Sequence, residues 1–558
     1  MIRRATLTAS SLCRRPVARF ARDEDGSLML FGMCLFMLML MLGGLAVDLM
    51  RYEQRRTALQ QTIDRSVLAA ASLTQDLDPE DVVNDYFEKA GLQQYLRNVT
   101  VTEGLNFRNV SATADAELDP FFTPMVGIDE FLVPAASQAE QRITNVEISM
   151  VLDVSGSMAG AKMTNLKTAA RNFVQTVLGG DGDDRISINV VPYNGQVNLG
   201  PTLRSKFNAT APHGTADVNC IDLPSSVYGS MTMSRSLAMP MTAHADTYSS
   251  TTKDTTYVAI QGHTMTSGKP TNNWCPPSTG NVVSVMNTDI ATLHAKINAF
   301  EAIGATSINA GLRWGLTLLD PGQRPLIDEL VGAGLVSSDF SGRPYEWDDD
   351  EALKVIVLMT DGSHFEEDRV NTTYKSGTAP IWYSATDNAF MVQHTSGRPA
   401  AAGSNQYWYP ARNSGAGEWR ADIRSGYTQQ TWPQVWARAR VQWVAWQLYA
   451  RALGTSTTTR NNTYNTWMGN FRTQTTIPNM DAQLKSVCDL AKAKNVVVYG
   501  IAFEAPTAGQ TVIADCATRA PGKPPEESGY YFNATDSAKL TSAFSAIASN
   551  ISQLRLTQ

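Results

Sequence analysis

Twenty consecutive positions without a charge, Leu28 to Val47 (LMLFGMCLFMLMLMLGGLAV), constrain this chain more than any other feature. At 1.5 Å per residue a helix of that length is about 30 Å long, the thickness of a bilayer's hydrocarbon layer. A secretory signal peptide has a shorter apolar centre and a small-residue cleavage site. Here the run passes directly into Asp48 and a helical pattern, with no evident A-x-A site. It reads as a retained transmembrane helix, with cleavage as the alternative. Arg3, Arg4, Arg14, Arg15, Arg19 and Arg22 precede it, against Arg51, Arg55, Arg56 and Arg65 in the twenty residues that follow. That excess places residues 1–27 in the cytoplasm and everything from Asp48 onward on the far side. No second uncharged run of comparable length follows, so a single-pass protein is expected.

The rest of the 558 residues is too long for one core and suggests several domains. A net charge of −7 argues against a nucleic-acid binder that works by neutralising phosphates. Cys220, Cys275, Cys488 and Cys516 lie beyond the span, in a compartment that permits disulfides. The pairs Cys220–Cys275 and Cys488–Cys516 each fall within one segment, but spacing allows three connectivities, and four buried thiols are the other option.

Leu49, Tyr52, Leu59, Ile63 and Val67 form an apolar stripe, so the membrane helix is expected to continue outward as a rod through residues 48–73, punctuated by DLDP at 76–79. A shorter helix is expected at 80–96, completing a helical extension of the anchor over 48–97. Residues 98–142 alternate polar and apolar around an aromatic loop, DPFFTPMVGIDEF, and predict a small strand-rich, α+β region.

From residue 143 to 558 apolar strands alternate with amphipathic helices. Strands are predicted at 143–153, 185–194, 352–361 and 495–503, and helices at 162–178, 289–302, 307–319, 481–494 and 536–554. The expected fold class is α/β, a doubly wound, mostly parallel sheet with helices on both faces. Two long insertions interrupt it, at 195–288 and 362–480. Within the second, residues 431–454 predict an aromatic helix that packs the insertion onto the sheet domain.

Asp153, Ser155 and Ser157 (DVSGSM) stand at the carboxyl end of the first sheet strand, the rim where open α/β sheets bind ligands. Asp361, in MTDGS, closes the third strand and is expected at the same rim, and Thr306 sits in the GATS loop that opens a helix there. Two carboxylates and three hydroxyls make an all-oxygen set suited to a hard cation, Mg²⁺ first, with Mn²⁺ or Ca²⁺ as alternatives. Each piece alone is an ordinary cap or turn; their conjunction at strand and helix ends is the signal.

DVSGSM, GATSINAGL and LMTDG resemble the metal-ion-dependent adhesion site of von Willebrand factor type A domains. The resemblance implies that Ser155, Ser157 and Thr306 bind the ion through hydroxyls, with Asp153 and Asp361 acting directly or through water. GSLMLFGM followed by AVDLMRYEQRRTALQQTIDRSVLAAASL is similar to the anchor of TadE/TadG-like proteins of Flp (tight-adherence) pilus machines, and an anchor of that kind joined to a von Willebrand A domain is the TadG-like arrangement. In prepilin-like relatives a Glu stands five residues after the cleaved Gly; here Phe31 stands at that distance from Gly26, so a permanently anchored protein is expected.

The resemblance implies an inner-membrane protein with its bulk in the periplasm, assembling or anchoring a pilus. Its expected partner is another pilus component that offers an acidic side chain to the metal. The alternative is a surface adhesin using the same site. No P-loop, HExxH or GxSxG motif occurs, and His364 reads as an isolated loop residue, so no enzyme is expected.

Overall fold

The computed structural model describes residues 25–552, apart from 73–74, 76, 104–106, 143–144, 180–184, 350–351 and 521. The six arginines that set the expected orientation, Cys13, Asp76 and Leu554 lie outside the described residues. The chain divides into two compact units, residues 1–142 and 143–558.

In the first unit, helix α1 (Asp25–Ala70) runs unbroken for 46 residues. It is the one helix among the described residues long and apolar enough to cross a membrane. Its outer half buries Leu59, Ile63, Val67 and Ala70, three to four residues apart, against α2 (Pro79–Lys89) and a three-stranded antiparallel sheet, β1 (Leu96–Glu103), β2 (Phe107–Leu118) and β3 (Phe131–Arg142). The strand period is two: Val110, Ala112, Ala114, Ala116 and Leu118 of β2 all point into this core. Leu49, expected in the packed stripe, is exposed instead. The expected helix at 80–96 stops at Lys89, because Gly91 takes a left-handed turn at φ 68° and the chain then enters β1.

The second unit is built on a six-stranded sheet. Its elements in chain order are β4 (Asn145–Asp153), α3 (Ala161–Leu178), β5 (Ile186–Tyr193), β6 (Ser284–Asn287), α4 (Ile290–Asn298), α5 (Ile308–Thr317), β7 (Ala352–Thr360), α6 (Ile477–Lys492), β8 (Val497–Phe503), α7 (Thr507–Cys516), β9 (Tyr531–Ala534) and α8 (Ser537–Ser552). The strand order is β6-β5-β4-β7-β8-β9. β5, β4, β7, β8 and β9 pair in parallel, and β6 joins the edge antiparallel. Neither short edge strand stands out from its surroundings in the sequence, and β6 lies inside what reads as the first insertion.

Alternate residues of β4 are equally buried, Val151 and Asp153 on one face, Ile148, Met150 and Leu152 on the other, so both faces are covered. α5 lies so close to the sheet that a Cβ on Gly315 would sit 2.5 Å from Val151. Lys354 and Glu147 form a buried ion pair in which the ammonium also donates to the Leu319 carbonyl at 3.0 Å. Disulfides join Cys220 to Cys275 and Cys488 to Cys516.

Outside the six-stranded sheet, pairing is predominantly antiparallel, so the chain as a whole is mixed α/β. The second insertion forms its own five-stranded antiparallel sheet from residues 378–384, 389–393, 407–409, 418–420 and 428–431. The expected aromatic helix is broken into Trp432–Trp436, Val441–Val444 and a π-helical stretch Ala445–Ala450. It does not pack onto the central sheet. Trp436, Trp443 and Leu448 meet Ile381, Phe390 and Val392 of the insertion's own sheet and Ala243 and Ala245 of the first insertion, giving the insertions a shared core.

Two histidines sit against that core, His394 buried and His244 half-buried. His394 makes a 2.9 Å hydrogen bond to the Leu448 carbonyl, and burial pushes its pKa down to about 4. Burial, then the neighbouring His263, pushes His244 down to about 3. Both are neutral in the fold, whereas in the unfolded chain they titrate near the ordinary value of about 6.5. Their contribution to stability is therefore complete above that pH and is lost as the pH falls toward about 4, by about 1.4 kcal/mol per pH unit for His394. Urea unfolding followed by tryptophan fluorescence from neutral to acid pH should show this decline, with a shallower slope in His394→Gln.

Candidate functional site

The parallel register decides where the carboxylates go. β4 and β7 align with Leu152 opposite Met359, so Asp153 and Asp361 leave the sheet at the same edge. β5 lies on one side of β4 and β7 on the other, so this edge is a switch point of the sheet, where the loops diverge and open a crevice.

Asp153 is fully buried. One of its oxygens accepts the Ser155 backbone N–H at 2.8 Å, and the other accepts the Thr360 hydroxyl at 2.7 Å. The Ser155 and Ser157 hydroxyls are 3.0 Å apart, and Ser157 donates to Asp361 at 2.7 Å. Thr306 arrives on the loop before α5. Ile303 N–H donates to the Val154 carbonyl at 3.0 Å and Ser307 N–H to the Asn194 carbonyl at 2.8 Å, tying that loop to the ends of β4 and β5. The structure thus gathers Asp153, Ser155, Ser157, Thr306 and Asp361 at one rim, with Ser157, Thr306 and Asp361 lining one cleft.

The donor set is compatible with a hard cation. No cluster of three or more His, Cys, Asp or Glu suited to a metal occurs among the described residues, so a cation here would rest on hydroxyls beside two carboxylates. Burial, and then the neighbouring Asp361 carboxylate, pushes Asp153 up to about 6. The local excess of negative charge is what a cation would relieve.

Part of that relief is built into the chain. Lys162, in the first turn of α3, places its ammonium 2.9 Å from Asp361 and 3.9 Å from Glu504. A cation at a helix N-terminus opposes the helix dipole, so its partner there is the carboxylate. Sequence reasoning missed Lys162 and Thr360; a lysine one turn after DxSxS, facing the wrong end of its helix, was the available signal.

Beyond the rim lies a cleft of about 500 Å³. Tyr248 and Trp274 from the first insertion and Phe365 from the start of the second form an aromatic wall, with Tyr248 and Phe365 ring centres 5.1 Å apart and Phe365 and Trp274 6.2 Å apart. Tyr248 is 54% and Phe365 40% exposed. His364 is not an isolated loop residue. It is buried, its Nε2 accepts the Asn309 N–H at 3.1 Å, and its Nδ1 lies 2.6 Å from Asp481 on α6. With both nitrogens engaged, it clamps the loop after Asp361 to α5 and α6.

Residues 26–73 match the family described as "Putative Flp pilus-assembly TadE/G-like". No curated protein matches the chain. Among solved structures, the von Willebrand factor domain of the type V pili tip protein Mfa5 from Porphyromonas gingivalis aligns at 13% identity over 73% of this chain and 95% of that one, with a TM-score of 0.29. The adhesive tip pilin GBS104 from Group B Streptococcus agalactiae aligns at 12% identity over 73% of this chain and 100% of that one, with a TM-score of 0.28. The pilus adhesin SpaC from Lactobacillus rhamnosus GG aligns at 9% identity over 82% of this chain and 33% of that one, with a TM-score of 0.29.

The hydroxyl of Thr360 tests the carboxylate arrangement directly. Thr360→Val removes its hydrogen bond and leaves Asp153 buried, and should destabilise the second unit by about 1–3 kcal/mol in chemical denaturation.

Proposed function

We propose that this chain is a non-catalytic pilus assembly or anchoring protein of the inner membrane that captures a protein partner through a divalent-cation site. Residues 28–47 act as the retained single span, with the N-terminus cytoplasmic and both units periplasmic. The Flp pilus-assembly likeness of residues 26–73 supports that setting. The second unit is a doubly wound domain of the von Willebrand A type, a reading supported by its parallel pairings and its two covered sheet faces.

The observation that carries the proposal is the chain of contacts from Ser155 through Ser157 to Asp361, at 3.0 and 2.7 Å, beside the buried Asp153. Asp153, Ser155, Ser157, Thr306 and Asp361 would hold the cation, and Mg²⁺ suits so few carboxylates among so many hydroxyls. Bound there, the cation supplies a coordination position for a carboxylate of the partner. Thr360 and the Ser155 N–H fix the orientation of Asp153. Tyr248, Trp274 and Phe365 present an apolar surface to whatever flanks that carboxylate, and the insertions that carry them set which partner fits.

Crosslinking and pulldown of the membrane-anchored protein, with and without Mg²⁺, tests this reading. Asp153→Ala should abolish cation-dependent capture and leave membrane insertion intact. Capture by the variant that is still sensitive to EDTA would refute the site assignment. Protease protection of the second unit in cells with intact outer membranes separates this role from that of a surface adhesin.

Lys162 competes with a bound cation for Asp361. Lys162→Met should therefore tighten Mg²⁺ or Tb³⁺ binding, by about tenfold if the ammonium costs the ion roughly 1.4 kcal/mol, as read by titration calorimetry or terbium luminescence.

A further inference from the structure

The aromatic loop between β2 and β3 has no role in the site above, yet it is the most exposed apolar segment of the first unit outside α1. Phe121 is 67% and Met125 73% exposed, and Phe122, Val126 and Ile128 are exposed as well. Such a patch in water is costly and marks a contact surface.

Its position on α1 identifies the contact. Phe122 packs on Gly44, so closely that a Cβ there would lie 2.4 Å from the ring. Gly44 is three residues, about 5 Å, inside the end of the uncharged run. The fully buried Asp48, the first charge after that run, accepts the backbone N–H groups of Phe121, Phe122 and Thr123 at 2.9, 2.6 and 2.9 Å. Arg51 donates to the Asp119 carbonyl at 3.2 Å and places its guanidinium 3.9 Å from the centre of the Phe121 ring. The loop is thus fastened to the helix at the level where the apolar stretch ends. On α1 itself Leu45, Val47, Leu49 and Met50 are exposed at the same level.

The backbone of the loop is prepared for an environment without water. Asp48 satisfies three of its N–H groups. Met125 N–H donates to the Phe122 carbonyl, Gly127 N–H to Pro124 and Ile128 N–H to Thr123, each at 3.1 Å. Pro120 and Pro124 have no N–H to satisfy. A loop in water gains little from such closure, whereas hydrocarbon requires it. Arg51, Arg55 and Arg56 follow within two turns, at the height of lipid headgroups.

We propose that residues 120–128 dip into the outer leaflet of the membrane beside the span, as a second, interfacial foot that fixes how the first unit stands on the bilayer. The inference rests on residues 28–47 being a retained span. Five apolar side chains beside a span, backed by arginines, fit a lipid surface.

The test uses the full chain with Cys13 and Cys34 replaced by serine, and a single environment-sensitive fluorophore on Met125→Cys, Met39→Cys or Thr102→Cys. The protein is reconstituted in phosphatidylcholine–phosphatidylglycerol vesicles. The Met125 label should be quenched several-fold more by a nitroxide placed high on the acyl chain than the Thr102 label, and be protected from aqueous iodide. Protection should persist when the protein is diluted in excess lipid. In Gly44→Leu, which displaces Phe122, protection should fall at Met125 and remain at Met39.

Iodide access at Met125 with protection at Met39 would overturn the foot and leave the span standing. Access at both positions would overturn both. Protection at Met125 that vanishes on dilution would assign the loop to contact between copies of the chain.

Discussion

Parallel pairing of β4 with β7 is the constraint on which the candidate site depends. A parallel register carries the ends of two strands to the same edge, so two carboxylates some two hundred residues apart in the chain meet there: Thr360 lies beside Asp153, and the turn that follows Thr360 brings Asp361 to the same rim. What the loops add is restraint. The Ile303 and Ser307 amides hold the Thr306 loop against the strand ends, and His364 pins the segment after Asp361. Two acids this close and this buried need compensation, and Lys162 provides some from within the chain. The rim therefore keeps an excess of negative charge, which an incoming cation would reduce.

The long central strands and the α1 rod were legible because each is a strong periodic signal longer than its neighbours' noise. β4, β5, β7 and β8 are buried on both faces and rich in apolar residues, as strands covered on both sides are. The two edge strands were not legible. β6 is four residues with a polar flank, and β9 begins with Tyr-Phe and ends within four residues, so neither carries enough pattern to be told from a loop. The aromatic stretch at 431–454 reads in the sequence as a single aromatic helix packing the insertion onto the sheet domain. In the structure Pro433 sits at the start of a short helix and the chain re-enters helical geometry only at Val441, so those tryptophans fan into a core of their own.

The five oxygen-bearing residues could be singled out because each stands at a strand or helix end, where motif and context agree. Thr360, Lys162 and the His364–Asp481 contact were hidden for a different reason. Their significance lies in tertiary neighbours more than a hundred residues away, and a lone threonine, lysine or histidine has no local mark of that. The aromatic wall was equally opaque, since Tyr248, Trp274 and Phe365 sit in segments whose fold the sequence does not disclose.

The bridge between Cys220 and Cys275 has a bearing on when the cleft becomes complete. Cys275 is the residue after Trp274, so the cleft's indole is tethered through that sulfur to a segment more than fifty positions earlier. A freshly made chain still in a reducing cytosol could assemble the strand edge and its acids, but the first insertion would lack its clasp. Reduction of that one bond would therefore loosen the aromatic wall while leaving the carboxylates of the strand edge where the sheet puts them.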